Sequence, residues 1–336
     1  MRVAVDAMGG DFAPGEVVKG ALLAARADGN LQIVLVGDQS LLEHELSLQG
    51  ETPASISIRH ASEVIEMKEH PASALRRKRD SSLVVCGQMI KRGEADATIS
   101  AGNTGAAMAI ATLDIGRISG IDRPAIATTL PTLQGRTLLV DAGANVDCSP
   151  ANLLQFATLG SVYTERVLGV AAPRVGLLNI GGEEGKGDEL RRATYELLKK
   201  QPLNFIGNVE GKDVFEGAAD VVVCDGFSGN VLLKTGEGVA ELIVSILQSE
   251  MGASPEVRDS LAAFQPIMHR LHKRIDYSET GGAPLLGVNG VSFIGHGRSK
   301  AKAIASGIAA AALAASTGYV QAIKDALPAA AGGAAL

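Results

Sequence analysis

The chain contains no tryptophan, and aromatic residues fill only 3% of its 336 positions. Its three cysteines, Cys86, Cys148 and Cys224, are widely spaced and odd in number, so they form neither a disulfide framework nor a metal-ligand set. They fit a reducing cytoplasm. Charged residues are also scarce at 20%, the net charge is −6, and no basic stretch is interleaved with aromatics. No nucleic-acid partner is therefore expected. The start, MRVAVDAMGGD, lacks the basic opening and long apolar run of a signal peptide, because Asp6 interrupts it. The most apolar long segment, 301–317, is mostly alanine and is broken by Lys302 and Ser306. It reads as a buried helix rather than a membrane span.

Several catalytic signatures are missing as well. No G-x-G-x-x-G follows the first apolar run, which removes the dinucleotide fingerprint. Gly182–Gly187 looks superficially like a phosphate loop, but Ile180 and Gly187 stand where the Walker spacing needs Gly and Ser or Thr. There is no G-x-S-x-G elbow, and the six histidines show no metal-binding spacing. Cys224 precedes Asp225, whose carboxylate would raise the thiol pKa and argues against a cysteine nucleophile. No metal and no cofactor are expected.

What the chain has is glycine, 40 residues of it, within a composition that is 46% hydrophobic. Short apolar runs alternate with helical stretches, predicting parallel βαβ units with right-handed crossovers. The runs 125–130 and 136–140, joined through Pro131, predict an antiparallel part. Leu75–Lys91 reads as one long helix carrying the basic run Arg76–Arg79. The expected fold is α/β, a three-layer α/β/α sandwich around a mostly parallel sheet. It forms a single large domain over 1–326, with a helical protrusion around 252–280 and a flexible Ala/Gly tail at 327–336. Within the protrusion, Leu261, Phe264, Ile267, Met268 and Leu271 recur at helical spacing.

Glycine loops follow most of the predicted strands: 6–11, 101–105, 141–147, 181–187, 207–211, 224–230 and 296–299. In parallel sheets such loops line one crevice at the carboxyl ends of the strands, so they are expected to converge there. The most prominent stretch is Val221–Lys234, an apolar strand, a loop punctuated by Gly226 and Gly229, and a helix. Ser228 or Gly229 is the expected cap, with amides turned toward an anion. The loops offer N–H donors, Asn103, Asn179, Asn208, Asn230, Lys186, Lys234 and His296. That inventory suits binding an oxyanion and stabilising an oxyanionic transition state, and it contains no obvious attacking side chain.

The ordered motifs VAVDAMGGD (3–11), ALRRKRDSS (74–82), SAGNTGA (100–106), DAGAN (141–145), LLNIGGEEGKG (177–187), IGNVEG (206–211), CDGFSGNVLLKTGEG (224–238), GGAPLLGVNG (281–290) and HGRS (296–299) span nearly the whole chain. Together they resemble the PlsX family, the acyl-(acyl carrier protein):phosphate acyltransferases of bacterial phospholipid synthesis. The resemblance implies a fold similar to phosphotransacetylase and to the isocitrate and isopropylmalate dehydrogenases. It implies direct attack of inorganic phosphate on the thioester of acyl-acyl carrier protein, which accounts for the missing nucleophile. It also implies a cytoplasmic homodimer, peripherally associated with the membrane, that passes acyl phosphate to a membrane acyl-phosphate:glycerol-3-phosphate acyltransferase.

On that reading Lys186, Asn208, Asn230 and His296 are the catalytic candidates. Asp6, Gly9, Gly10, Asp11, Gly102, Asn103, Asp225, Gly226, Ser228, Gly229 and Lys234 form the substrate and phosphate wall. The three aspartates orient loops rather than touch phosphate, since like charges repel. Arg76–Arg79 or Arg270–Arg274 would dock the acidic carrier protein, and 255–275 would contact a membrane surface. Two rivals stand beside this reading: an NAD-dependent dehydrogenase of the isopropylmalate type, and a non-catalytic scaffold for lipid synthesis.

Overall fold

The computed structural model describes residues 1–253, 266, 270–271 and 281–327. Its strands are β1 (Arg2–Asp6), β2 (Gln32–Gly37), β3 (Ile56–His60), β4 (Ala97–Ser100), β5 (Ala125–Thr132), β6 (Gly135–Val140), β7 (Val175–Leu178), β8 (Phe205–Val209), β9 (Val221–Val223), β10 (Ala283–Leu286) and β11 (Val291–Ile294). They form one sheet in the order β3-β2-β1-β4-β11-β10-β5-β6-β9-β7-β8. Side chains alternate between its two faces, as the period of two requires. Leu138, Val140, Val221 and Val223 enter one apolar cluster, while Leu139 and Val222 enter the other. Both faces are buried, which is why these strands read as continuous apolar runs.

Helices cover both faces. One layer contains α1 (Gly15–Ala27), α2 (Gln39–Ser47), α6 (Pro150–Arg166), α7 (Glu189–Leu198), α10 (Ala301–Ser316) and α11 (Tyr319–Ala326). The other contains α3 (Pro71–Arg77), α4 (Ser82–Lys91), α5 (Thr104–Ile110) with a π-helical turn at Ala111–Gly116, α8 (Gly211–Glu216) and α9 (Gly226–Ala253). Among the described residues no single helix is long and apolar enough to cross a membrane. α10 packs closely on α1: a Cβ on Gly20 would lie 2.6 Å from Ile304 Cβ.

The sheet is not uniformly parallel, and this changes where the glycine loops lie. β1, β2, β3, β4 and β11 run one way. β10 is antiparallel to β11 and to β5, and β5 is antiparallel to β6. Three reversals in succession leave β6, β9, β7 and β8 running opposite to the first group. The expected single row of converging loops is therefore two rows, at opposite ends of the strands.

Three local expectations are also corrected. Leu75–Lys91 is two helices, α3 and α4, because residues 78–82 bond elsewhere. Lys78 Nζ donates to Val64 O and Glu69, Asp80 accepts from Ser62 N and Oγ, and Ser82 N donates to Glu63 O. Gly207–Val209 belongs to β8 rather than to a loop, since it pairs with β7 in register. α9 starts at Gly226, earlier than a cap at Ser228 or Gly229 allows. The protrusion expected around 252–280 and the tail beyond 327 lie almost entirely outside the described residues.

Candidate functional site

The first loop row is knotted around Asp6. Its buried carboxylate accepts from Ser82 Oγ and Ser100 Oγ, both at 2.6 Å, and from Met8 N at 3.3 Å. Burial pushes this carboxyl up, and the hydroxyl and amide donors hold it down in part. Gly9 is needed because a Cβ there would lie 2.4 Å from Asp6 Oδ2 and 2.8 Å from Gly102 N. Gly10 sits at φ +115°, a glycine region. Asp11 N donates to Gly297 O at 2.9 Å, tying the loop after β1 to the loop after β11. Asn103 caps α5 by accepting from Ala106 N at 3.0 Å, and its Nδ2 donates to the carbonyls of Glu66, Met67 and Glu69. Its polar atoms are thus all occupied by the protein.

The second row surrounds Arg191, on the first turn of α7. Its guanidinium donates to Asp188 Oδ2 at 2.7 Å, to Ser228 Oγ at 2.8 Å and to Asp225. Asp225 is buried and also accepts from Ser228 N and Ser228 Oγ. Burial pushes the Asp225 carboxyl up, but the Ser228 bonds and the Arg191 charge outweigh it and hold the group below its ordinary value. Three of the first four amides of α9 are taken: Gly226 N donates to Asn145 O at 2.7 Å, Ser228 N to Asp225 Oδ1, and Gly229 N to Asp225 O. Gly229 packs so tightly that a Cβ would lie 1.9 Å from Asp141 O.

A pocket of about 750 Å³ opens beside this cluster, lined from Val146–Cys148, the 178–191 segment and Asp225–Ser228. Lys186 is exposed on its glycine loop and makes no ion pair among the described residues. Asn208 donates from Nδ2 to Glu183 O at 2.8 Å, anchoring that loop to β8. Cys224 is fully buried, with burial first and then Asp141 and Asp225 raising its pKa far above the ordinary value.

α9 connects the two rows. It begins at Gly226, exposes Asn230 on its second turn, and carries Lys234 a turn further. Lys234 pairs with Glu237 at 2.8 Å and acts electrostatically on His296 of the first row. His296 Nδ1 accepts from Arg298 N at 3.2 Å, leaving Nε2 as the N–H donor of the neutral ring. Desolvation, then Lys234 and Arg298, lowers its pKa, while Glu237 and Asp11 pull the other way. Lys234, His296 and Arg298 thus bring cationic and donor groups together from both halves of the sheet.

The sequence profile described as fatty acid synthesis protein matches residues 1–322. A phosphate acyltransferase of Desulfitobacterium hafniense is 54% identical over 329 residues, covering 98% of each chain. The chain belongs to this family. The resemblance drawn from the ordered motifs is borne out, and so is the expectation of an enzyme of the acyltransferase class. Among solved structures, a phosphotransacetylase of Streptococcus pyogenes has a TM-score of 0.62 at 17% identity, over 94% of each chain. A 4-hydroxythreonine-4-phosphate dehydrogenase of Klebsiella pneumoniae scores 0.53 at 13% identity, over 94% of this chain and 97% of that one. These likenesses show the fold alone, and they agree with the three-layer α/β class expected from sequence.

Of the candidate residues, Asp6, Gly9, Gly10, Asp11, Gly102, Asn103 and His296 gather in the first row. Lys186, Asn208, Asp225, Gly226, Ser228, Gly229 and Asn230 gather in the second, and Lys234 lies between. Sequence reasoning missed Arg191. Its only signal was an arginine three residues after Asp188, which caps α7 by accepting from Arg191 N. It missed Arg298 too, although HGRS was among the motifs.

Proposed function

We propose that the protein transfers a fatty acyl group reversibly from acyl-acyl carrier protein to inorganic phosphate, forming acyl phosphate for phosphatidic acid synthesis. The observation that carries this reading is the meeting of Lys234, His296 and Arg298 beside Asn230, in a chain that matches a phosphate acyltransferase from end to end. A phosphate oxygen attacks the thioester carbonyl, the carbon–sulfur bond breaks, and the carrier's phosphopantetheine thiolate leaves and takes a proton. Holding phosphate and thioester in line supplies roughly 7–11 kcal/mol of the barrier. In this reading the phosphate sits toward Lys234, His296 and Arg298 rather than on the start of α9, a position supported by the engagement of the Gly226, Ser228 and Gly229 amides with Asn145 and Asp225. The Asn230 side chain, with no hydrogen bond to another described residue, then faces the oxyanion. The Asn208 amide is committed to Glu183 O, so it acts by holding the Lys186 loop. Lys186 supplies charge to the departing thiolate.

The test is hydroxylamine trapping of acyl phosphate made by purified protein from acyl-acyl carrier protein and phosphate. Lys234→Gln is expected to raise the KM for phosphate at least tenfold, and Lys186→Ala to lower kcat. Near-normal acyl phosphate formation by Lys186→Ala would remove Lys186 from the mechanism.

We further propose that residues 1–326 act as one unit, a reading supported by the continuous sheet from β3 to β8. A homodimer is supported by the apolar side chains that α9 exposes, since Val239, Leu242, Ile243 and Ile246 are each about half accessible, while its cytoplasmic placement rests on the family resemblance. Arg76, Arg77 and Arg79 are exposed and suit an acidic carrier, whereas Lys78 is engaged by Glu69. Peripheral membrane contact through 255–275 and transfer to a membrane acyltransferase rest on the family resemblance.

A further inference from the structure

The pocket beside Arg191 has polar and apolar parts in very different states. Apart from the exposed Asp147, its charged and amide side chains are bonded within the protein. Arg191 is bound to Asp188, Asp225 and Ser228, and Asp225 also accepts the Ser228 amide. Asn179 accepts from Ile180 N and donates to Lys186 O. None of these side chains has a strong unmet valence that calls for a polar ligand. The lining carries three aspartates, Asp147, Asp188 and Asp225, against one arginine, a formal charge of −2. Phosphate or a carboxylate is repelled from such a wall.

The apolar groups are in the opposite state. Ile180, Val146 and Phe227 are 83%, 63% and 63% exposed, and all three line this one pocket, with Leu178 and Leu190 beside them. Large apolar side chains left exposed around a single concavity mark a binding site for apolar matter. At about 750 Å³ the pocket falls within the usual size of small-molecule sites.

Its position completes the argument. Phe227 and Ser228 line the pocket, Asn230 follows on the same helix, and Lys234 lies seven residues beyond Phe227, roughly 10 Å along the axis. A thioester carbonyl held at Asn230 would have the cationic group of Lys234, His296 and Arg298 on one side and an apolar pocket on the other.

We propose that the pocket lined by Val146, Leu178, Ile180, Leu190 and Phe227 receives the uncharged hydrocarbon chain of the donor and so sets the preference for chain length. This rests on the acyl-transfer reading. The chain enters beside Ile180, lies against Phe227 and leaves its carbonyl at the second turn of α9. Arg191 serves here as a positioning residue that closes the polar wall, not as an anion ligand.

The test fills the pocket from its exposed rim. Ile180→Trp and Val146→Trp are made separately, since neither position is in the core. For each, kcat/KM is measured with hexadecanoyl and butyryl acyl carrier protein at saturating phosphate. The expected result is a fall of at least tenfold in the hexadecanoyl-to-butyryl ratio for Ile180→Trp, with a smaller fall in the same direction for Val146→Trp. A ratio within twofold of the unmodified enzyme in both variants would overturn the inference while leaving acyl transfer intact. Failure of the unmodified enzyme to make acyl phosphate from either donor would overturn the proposed function, and this assignment with it.

Discussion

Replacing Arg191 by methionine removes the one cation in the wall of buried and half-buried groups at the start of α9. Arg191 and Asp225 side chains are only 14% and 7% exposed, so the carboxylate left behind has little access to water. Breaking a buried pair by deleting one partner costs about 3–5 kcal/mol, and the two Ser228 bonds that Asp225 retains place this case near 3 kcal/mol. Unfolding entropy of ~2.1 cal/mol/K per residue gives ~0.7 kcal/mol/K for 336 residues, so Tm should fall by ~4 °C at neutral pH. The sign of the pH dependence follows from Asp225. Burial raises its carboxyl, but the Ser228 bonds and Arg191 more than offset this, so the folded value lies below the ordinary one. Its stabilisation is therefore present above the unfolded pKa and is lost as pH falls through the folded pKa. Without Arg191 the carboxyl titrates higher, and the gap between variant and parent narrows on acidification. Adding Asp225→Asn to Arg191→Met should recover part of the loss, because no charge is then stranded. Thermal melts at fixed protein concentration across the acidic range measure all of this. A Tm loss below ~1 °C at pH 7, or one that does not change with pH, would refute the reasoning.

Other consequences are equally direct. Gly229→Ala places a Cβ against the carbonyl of Asp141, which cannot retreat without moving β6, so a loss of at least ~2 kcal/mol is expected in denaturant unfolding. Asn103→Ala removes both the α5 cap and the tether to residues 66–69, for about 2–3 kcal/mol, while Asn103→Asp keeps the cap and should lose less. Lys234→Gln relieves part of the positive field on His296, so its imidazole should titrate at a higher pH in NMR; an unchanged or lower value would place Lys234 too far away to matter. Since the folded pKa of His296 is depressed, its protonation opposes folding. The protein should lose stability through this group as pH falls below the ordinary histidine value, less so in Lys234→Gln.

Much of the fold was legible. Val221–Val223 reads as a buried strand because both its neighbours cover apolar faces, and Pro150 at the start of α6 marks a helix that the Ser149–Asn152 capping box completes. The antiparallel 125–140 pair was legible from its intervening turn. What escaped was decided by distant partners. The break between α3 and α4 depends on Ser62, Glu63 and Glu69, and nothing in the local propensity of residues 78–82 announces them. The two loop rows follow from the insertion of β10 between β11 and β5, a pairing across more than a hundred residues that periodicity does not encode. Arg191 was hidden for the same reason, as Asp225 lies 34 residues away. Asn103 was legible as a conspicuous loop residue, yet its neighbours turned its polar atoms inward, toward the backbone at 66–69.

The central claim is that phosphate itself is the nucleophile and no acyl-enzyme forms. The most direct measurement mixes the purified protein with acyl-acyl carrier protein and isotopically labelled free carrier protein, with and without phosphate. The predicted result is acyl phosphate, seen by ³¹P NMR, when phosphate is present, and no transfer of acyl groups to labelled carrier when it is absent. Phosphate-independent exchange of acyl groups between carriers would contradict it.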